Sequence, residues 1–132
     1  MNTSNQVQIN VKQTITDIAY KLENSKLSAE ALKSTRLKTQ KLSKYLGITP
    51  KQCYVFVAIF TLQSKDNMIE MSDIIFFLNL SQIEAINLRS DIEAMYDLGL
   101  IAKQERFQSN QSIYSNGTTY SVCRNVVNAI FA

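Results

Sequence analysis

The stretch MSDIIFFLNLSQIEAINLRSDIEAMYDLG, residues 71–99, decides the fold. Ser72 is a good N-cap, and the apolar run after it predicts a short helix ending at about Leu78. Only an Asn-Leu pair separates it from Ser81, which forms a capping box with the glutamate three residues later and predicts a second helix to Leu98. Two helices joined by so short a turn are typical of a helix-turn-helix.

The residues after these two helices predict a β-hairpin and a closing helix. Ile101–Phe107 has the character of an extended segment, and Asn116 with Gly117 marks a tight turn. Thr118–Val122 is rich in β-branched and aromatic residues, which favour a strand. The apolar residues after the second strand recur at helical spacing. The polar residues 108–117 would form the loop of the hairpin, the wing.

The segment before the helix-turn-helix predicts the core helix. Thr49 as N-cap, Pro50 at the first position and Gln52 at the third form a capping box, and a helix to about Gln63 follows. The residues inside it leave almost no polar face, so neighbouring elements must cover it on several sides. The N-terminal helices are the expected cover, and a dimer is the alternative.

The first 48 residues predict a helical extension. Residues 7–11 alternate like a strand, whereas the apolar spacing is helical after about residue 12. A second helix is expected from the N-cap Ser28 to Leu46, with Gly47 as its left-handed C-terminal residue. The predicted fold is therefore mostly α with a small β-hairpin: a winged helix-turn-helix at 49–132, preceded by an N-terminal helical extension at 1–48.

Composition argues against a catalytic, cofactor-binding or metal site. The chain has no histidine, the commonest general base and zinc ligand. Its three glycines are too sparse for a phosphate-binding loop, and no nucleophile has a base beside it. Cys53 and Cys123 are expected to be free thiols. We therefore expect no enzyme activity, no cofactor and no metal.

The hydropathy pattern predicts a cytoplasmic protein without membrane contact. The longest apolar run, Cys53–Phe60, is far shorter than the roughly 18 to 20 residues that a membrane span requires. The residues after Met1 are polar and uncharged rather than basic and then apolar, so they do not resemble a signal peptide.

The positive charge belongs to the N-terminal part. Residues 1–51 carry nine Lys or Arg against three acids, whereas residues 52–132 carry five against eight. The second predicted helix holds four cations near one face, here called the basic stripe: Lys33, Arg36, Lys41 and Lys44. Such a run is most often a solvated helix face, and the functional interpretation is contact with nucleic acid or an acidic partner.

The helix-turn-helix itself is poorly suited to DNA. Residues 82–98 carry four acids against Arg89, the wrong sign for a polyanion, and the wing contains no Lys or Arg. Arg89, with Lys103 and Arg106 at the base of the hairpin, completes the candidate nucleic-acid contacts.

The outer face of the second helix of the helix-turn-helix is partly apolar. Ile83, Ile86 and Ser90 lie roughly opposite the face that is expected to pack on the core. We expect the two isoleucines to pack on the preceding short helix. The alternative is that these three residues belong to a patch that docks a protein.

Three segments carry a resemblance to a known family: LGITPKQCYVFVAIFTLQ (46–63), IEMSDIIFFLNLS (69–81) and DIEAMYDLGLIAK (91–103). Residues from about Tyr45 to Phe131 resemble the winged-helix domain that precedes the nucleotide-binding module in bacterial, Bacteroides-type AAA-family ATPases. The resemblance implies that the chain is the N-terminal part of a longer ATPase. No Walker motif occurs here, so none of that family's catalytic residues is carried over.

Two functions follow as predictions. The first is a non-catalytic winged-helix module that docks a protein partner and regulates or localises an attached ATPase. The second is a DNA-binding winged helix, either a transcription regulator or the DNA anchor of the ATPase. The fold alone does not choose between them.

Overall fold

The computed structural model describes residues 3–66, 68–105 and 117–131, with side chains from residue 11 onward. The described part is mostly helical with one small antiparallel sheet, as the sequence predicts. In chain order the elements are α1 Thr3–Ser25, α2 Ala29–Ser34, α3 Arg36–Leu46, α4 Pro50–Gln63, α5 Met71–Leu78, α6 Gln82–Ile86, α7 Leu88–Asp97, β1 Ile101–Glu105, β2 Thr118–Val122 and α8 Arg124–Phe131.

The core helix is α4, and it begins as predicted. The backbone N–H of Thr49 donates to Gln52 Oε1 at 3.0 Å, and the N–H of Gln52 donates to Thr49 Oγ1 at 3.1 Å, which closes the capping box. Every residue from Cys53 to Ile59 is buried. This helix contacts α1, α3, α5, α7 and β2, so its apolar surface is covered within one chain.

The N-terminal extension lies on this core. Helix α1 is helical from Thr3, so the strand alternative for residues 7–11 is wrong. Its buried positions Val11, Ile15, Ile18 and Leu22 recur every three or four residues and belong to the same hydrophobic cluster as α4. At the other end of the chain Phe131 of α8 stacks on Phe60 of α4, with ring centroids 5.5 Å apart. The predicted division of the chain into an N-terminal extension at 1–48 and a second domain at 49–132 stays a prediction.

The short turn between the two helices that the sequence predicts as a helix-turn-helix is present, with one shift in position. Helix α5 begins at Met71 rather than after Ser72, because Glu70 is the N-cap and its N–H donates to Asp73 Oδ2 at 2.8 Å. Asn79 ends α5 in the left-handed conformation with φ 57°. Ser81 then opens α6 by the predicted capping box with Glu84.

Two helices expected to be continuous are interrupted. Thr35 separates α2 from α3, and its hydroxyl lies 2.6 Å from the Ala31 carbonyl and 2.7 Å from the Tyr54 hydroxyl. Asn87 separates α6 from α7 in the segment predicted as one helix to Leu98. The Tyr54 contact comes from a distant part of the chain, which helical spacing does not reveal.

The sheet is the hairpin predicted after the helix-turn-helix. Strands β1 and β2 pair antiparallel, with Ile101 opposite Val122 and Glu105 opposite Thr118. On its other side β2 pairs at one point with Ile69, whose carbonyl accepts the N–H of Tyr120 at 2.8 Å. The winged-helix prediction requires two paired strands after the helices and a break in the helix at Leu80 and Ser81. Both features are present. The assignment of the fold as a winged helix itself stays a prediction. The wing loop, except Gly117, lies outside the described residues.

Candidate interaction surfaces

Helix α6 leaves its two isoleucines in solvent. Ile83 is 76% exposed and Ile86 is 74% exposed, so the expectation that they pack on the preceding short helix is wrong. The two side chains are three residues apart and therefore neighbours on one face of the helix. No residue of α6 is buried, since the break at Asn87 separates this helix from the core-packed α7. The pair forms a small apolar surface, which we call the isoleucine pair.

Three other residues close to α6 in the chain are a serine, a capping glutamate and an exposed phenylalanine. Ser90, the third residue of the predicted patch, is exposed but lies on α7, beyond the break. Hydrogen bonds from the backbone N–H and hydroxyl of Ser81 lower the pKa of Glu84, so this carboxylate is committed to the helix cap. Phe76 of α5 is exposed as well, and the Lys26 ammonium lies 5.4 Å from its ring centroid. Helical spacing gave no signal for this phenylalanine.

The acids of α7 are largely paired with cations from neighbouring elements. Lys51 Nζ lies 3.7 Å from Asp91 Oδ2, within reach for an ion pair but too far for a hydrogen bond. Lys103 Nζ donates to Glu93 Oε2 at 2.7 Å. Two of the three carboxylates on this helix are therefore balanced, which makes the local surface less acidic than the sequence suggests.

Of the candidate DNA contacts on α7 and at the hairpin base, the structure describes Arg89 and Lys103. Lys103 is held by Glu93 and lies 4.3 Å from the Tyr96 ring centroid, so it is not free for a phosphate. The hydrogen bond to Glu93 raises the pKa of Lys103, so the ammonium group stays protonated and charged in this ion pair. Arg89 is exposed on α7. Arg106 lies outside the described residues.

The basic stripe is exposed along its whole length. Lys33 lies on α2, whereas Arg36, Lys41 and Lys44 lie on α3, and none of the four forms an ion pair with a described carboxylate. The fifth cation of these two helices, Lys38, is outside the stripe, and its Nζ lies 3.5 Å from Asp17 Oδ2 of α1. The stripe is thus a surface of uncompensated positive charge.

A shallow groove of about 450 Å³ lies between α1 and the junction of α2 with α3. It is lined by Thr16, Asp17, Tyr20, Lys21, Ser34, Thr35 and Lys38. The lining hydroxyls of Thr16, Ser34 and Thr35 each donate to a carbonyl one helical turn earlier, and the carboxylate is paired with Lys38. The three hydroxyls and the Asp17 carboxylate are therefore already engaged within the protein.

The thiols and carboxylates of the described residues form no metal-binding group of three. Burial raises the pKa of the Cys53 thiol to about 12, so it is neutral at physiological pH. Both cysteines are free, as predicted. Within the described ranges, no helix combines the length and apolar character needed to cross a bilayer.

No protein-family model, no curated protein and no solved structure matches this chain.

Proposed function

We propose that this chain is a non-catalytic docking module, and that the isoleucine pair of α6 binds an apolar surface on a partner protein. The observation that carries the proposal is the exposure of Ile83 and Ile86, each about three quarters free of contact. Large apolar side chains that stand together in solvent are typical of interaction sites. The core does not need them, because α4 is covered by other elements.

The energy available from this pair suits a reversible interaction. Burying an isoleucine completely stabilises by roughly 1.5 to 3 kcal/mol. Because both side chains are mostly exposed, a partner that covers them gains about 3 kcal/mol, on the order of a hundredfold in affinity. This gain is enough to select a partner but leaves room for polar contacts around the pair, such as those available from Gln82 and Ser90.

An attached ATPase is the partner that the family resemblance suggests. On this proposal the isoleucine pair docks on the nucleotide-binding module or on a protein that this module recruits. The genomic reading frame tests this part directly. A frame that continues from this sequence into a Walker motif supports it, whereas a stop codon directly after Ala132 contradicts it.

DNA binding is the alternative function. The exposed basic stripe favours it, because unpaired cations attract phosphates. The charges around α7 argue against it. Lys103 of β1 is engaged by Glu93, and α7 carries a third acid, Asp97, besides Asp91 and Glu93. Protein docking is therefore the function that the geometry supports best.

Affinity capture with three immobilised baits tests the docking proposal. The baits are the natural chain, Ile86→Asp and the control Leu98→Asp, which places the same charge on another exposed apolar residue. A partner identified by mass spectrometry with the natural chain is then purified and titrated against all three by calorimetry. We expect Ile86→Asp to weaken binding about tenfold or more, because it removes one of the two isoleucines and places a charge in an apolar contact, Leu98→Asp to leave binding unchanged and moderate salt to have little effect.

Three results would overturn the proposal. These are equal capture by all three baits, equal loss in the two variants, and binding that is lost in moderate salt while Ile86→Asp has no effect. Circular dichroism of each bait is the control for folding, because substitutions at such exposed positions change stability by at most about 0.5 kcal/mol.

A further inference from the structure

The exposed face of α2 and α3 combines positive charge with a largely exposed leucine. Leu37 is 74% exposed and lies one helical turn before Lys41 on α3, while Lys33 lies near the end of α2, before the break at Thr35. Lys44 continues the same row one turn further along α3. On α3 itself, from Leu37 to Lys44, the row extends roughly 10 Å at 1.5 Å per residue. The stripe is thus a cationic surface with a leucine inside it.

The protein does not neutralise this row. Glu30 is the single acid of α2 and α3, and no ion pair connects it with the row. The other side of α3 is occupied, since Thr39 and Leu42 are buried and the helix contacts α1 and α4. The free face can therefore attract an anionic partner without disturbing the core.

An acidic protein segment fits this face better than nucleic acid does. A duplex would place phosphates over the row. A phosphate can neither hydrogen-bond to Leu37 nor cover it with an apolar group, so the leucine would contribute nothing to the contact. A single strand is bound by several aromatic side chains on which successive bases stack, whereas α2 and α3 expose one aromatic side chain, Tyr45, which is 38% exposed.

The same face is unsuited to a lipid surface. A helix that lies in a membrane interface inserts a broad apolar face between the acyl chains. In α3 that face is already buried in the core, which leaves Leu37 as the one apolar side chain within the row. A protein segment can match this arrangement, with acids opposite the lysines and an apolar residue opposite the leucine.

We infer that the outer face of α2 and α3 binds an acidic segment of a partner protein, whose carboxylates pair with Lys33, Lys41 and Lys44 while an apolar side chain packs on Leu37. This surface is separate from the isoleucine pair. The protein therefore carries two docking surfaces of different chemistry, one dominated by charge and one apolar.

Fluorescence anisotropy with synthetic probes tests the inference. The probe is a fluorescein-labelled helical peptide with glutamates flanking a single leucine on an alanine background, and its matched control has serine in place of that leucine. A labelled DNA duplex, a labelled oligothymidine and vesicles containing phosphatidylserine represent the other anionic partners. Titrations at about 0.15 M salt keep non-specific attraction low.

The expected pattern separates charge from apolar contact. Reversing the charge of Lys41 and Lys44 to Glu weakens peptide binding by about tenfold or more, since two attractions become repulsions. Leu37→Ser weakens binding of the leucine peptide by about tenfold and leaves the serine peptide unaffected. Arg124→Glu, a charge reversal on α8, and Leu98→Ser, which shortens an exposed leucine after α7, are the controls and leave the affinity unchanged.

Several outcomes would overturn the inference. They are equal binding of the leucine and serine peptides, unchanged peptide affinity in the Lys41 and Lys44 variant, and tighter binding of either nucleic acid or of the vesicles. Ile86→Asp leaves peptide binding intact on this account, so failure of the α6 docking proposal and failure of this one are distinguishable.

Discussion

Replacing Ile18 by alanine measures whether the N-terminal helix belongs to the core of α4. Ile18 is 0% exposed and lies in the same hydrophobic cluster as Phe56. Removing its buried methyl and methylene groups costs about 3 kcal/mol, from lost transfer energy and the cavity left behind. Alanine has the higher helix propensity, so a loss of stability reports packing rather than helix formation. With a urea m-value of about 2 kcal/mol/M, the unfolding midpoint falls by about 1.5 M.

Tyr20→Ala is the matched control for this experiment. Tyr20 lies two residues further along α1 and is 70% exposed, so its truncation changes stability by at most about 0.5 kcal/mol. Urea titrations followed by circular dichroism measure both variants against the natural chain. A loss below about 1 kcal/mol for Ile18→Ala, or equal losses in the two variants, would show that α1 folds apart from the core.

Three further predictions concern buried and paired groups. Tyr54→Phe removes the buried hydroxyl that lies 2.7 Å from Thr35 Oγ1, and we expect a loss of about 1 kcal/mol in urea unfolding; an unchanged midpoint would contradict this. Because burial raises the pKa of Cys53 to about 12, a thiol reagent at pH 8 labels only the half-buried second cysteine until urea unfolds the chain; early double labelling would contradict this. Because the pKa of Lys103 is raised above its ordinary value of 10.5, the ion pair contributes its full stabilisation at any pH below 10.5. This stabilisation is lost as the pH rises through the pKa of the folded state. In a ¹³C NMR titration Glu93→Gln returns that pKa toward the ordinary value, and an unmoved pKa would refute the pairing.

Local signals predict the helix boundaries that depend on capping residues and glycines. The capping boxes at Thr49 and Ser81 depend on side chains three residues apart, and both form as the sequence indicates. Gly47 and Gly99 adopt positive φ at the ends of their helices, again from local geometry. The all-apolar α4 forms the centre of the core because no arrangement could leave it in solvent.

Features that depend on distant contacts were not predictable. The interruption at Thr35 coincides with the hydroxyl of Tyr54, nineteen residues away, and the pairing of Ile69 with Tyr120 joins segments from opposite sides of the helix-turn-helix. Helical spacing placed Ile83 and Ile86 on the outer face of the helix but could not tell whether α5 covers them. The basic stripe was predicted from spacing, whereas the sequence did not show that Lys103 would be held by Glu93.

The central claim is that α6 docks a protein through its isoleucine pair. Titration of the ¹⁵N-labelled chain with the captured partner, followed by amide chemical shifts, tests it most directly. We expect the largest shift changes on Gln82–Ile86 and its immediate neighbours, and we expect Ile86→Asp to abolish them. Changes concentrated in α7 and the hairpin, with α6 unaffected, would contradict it.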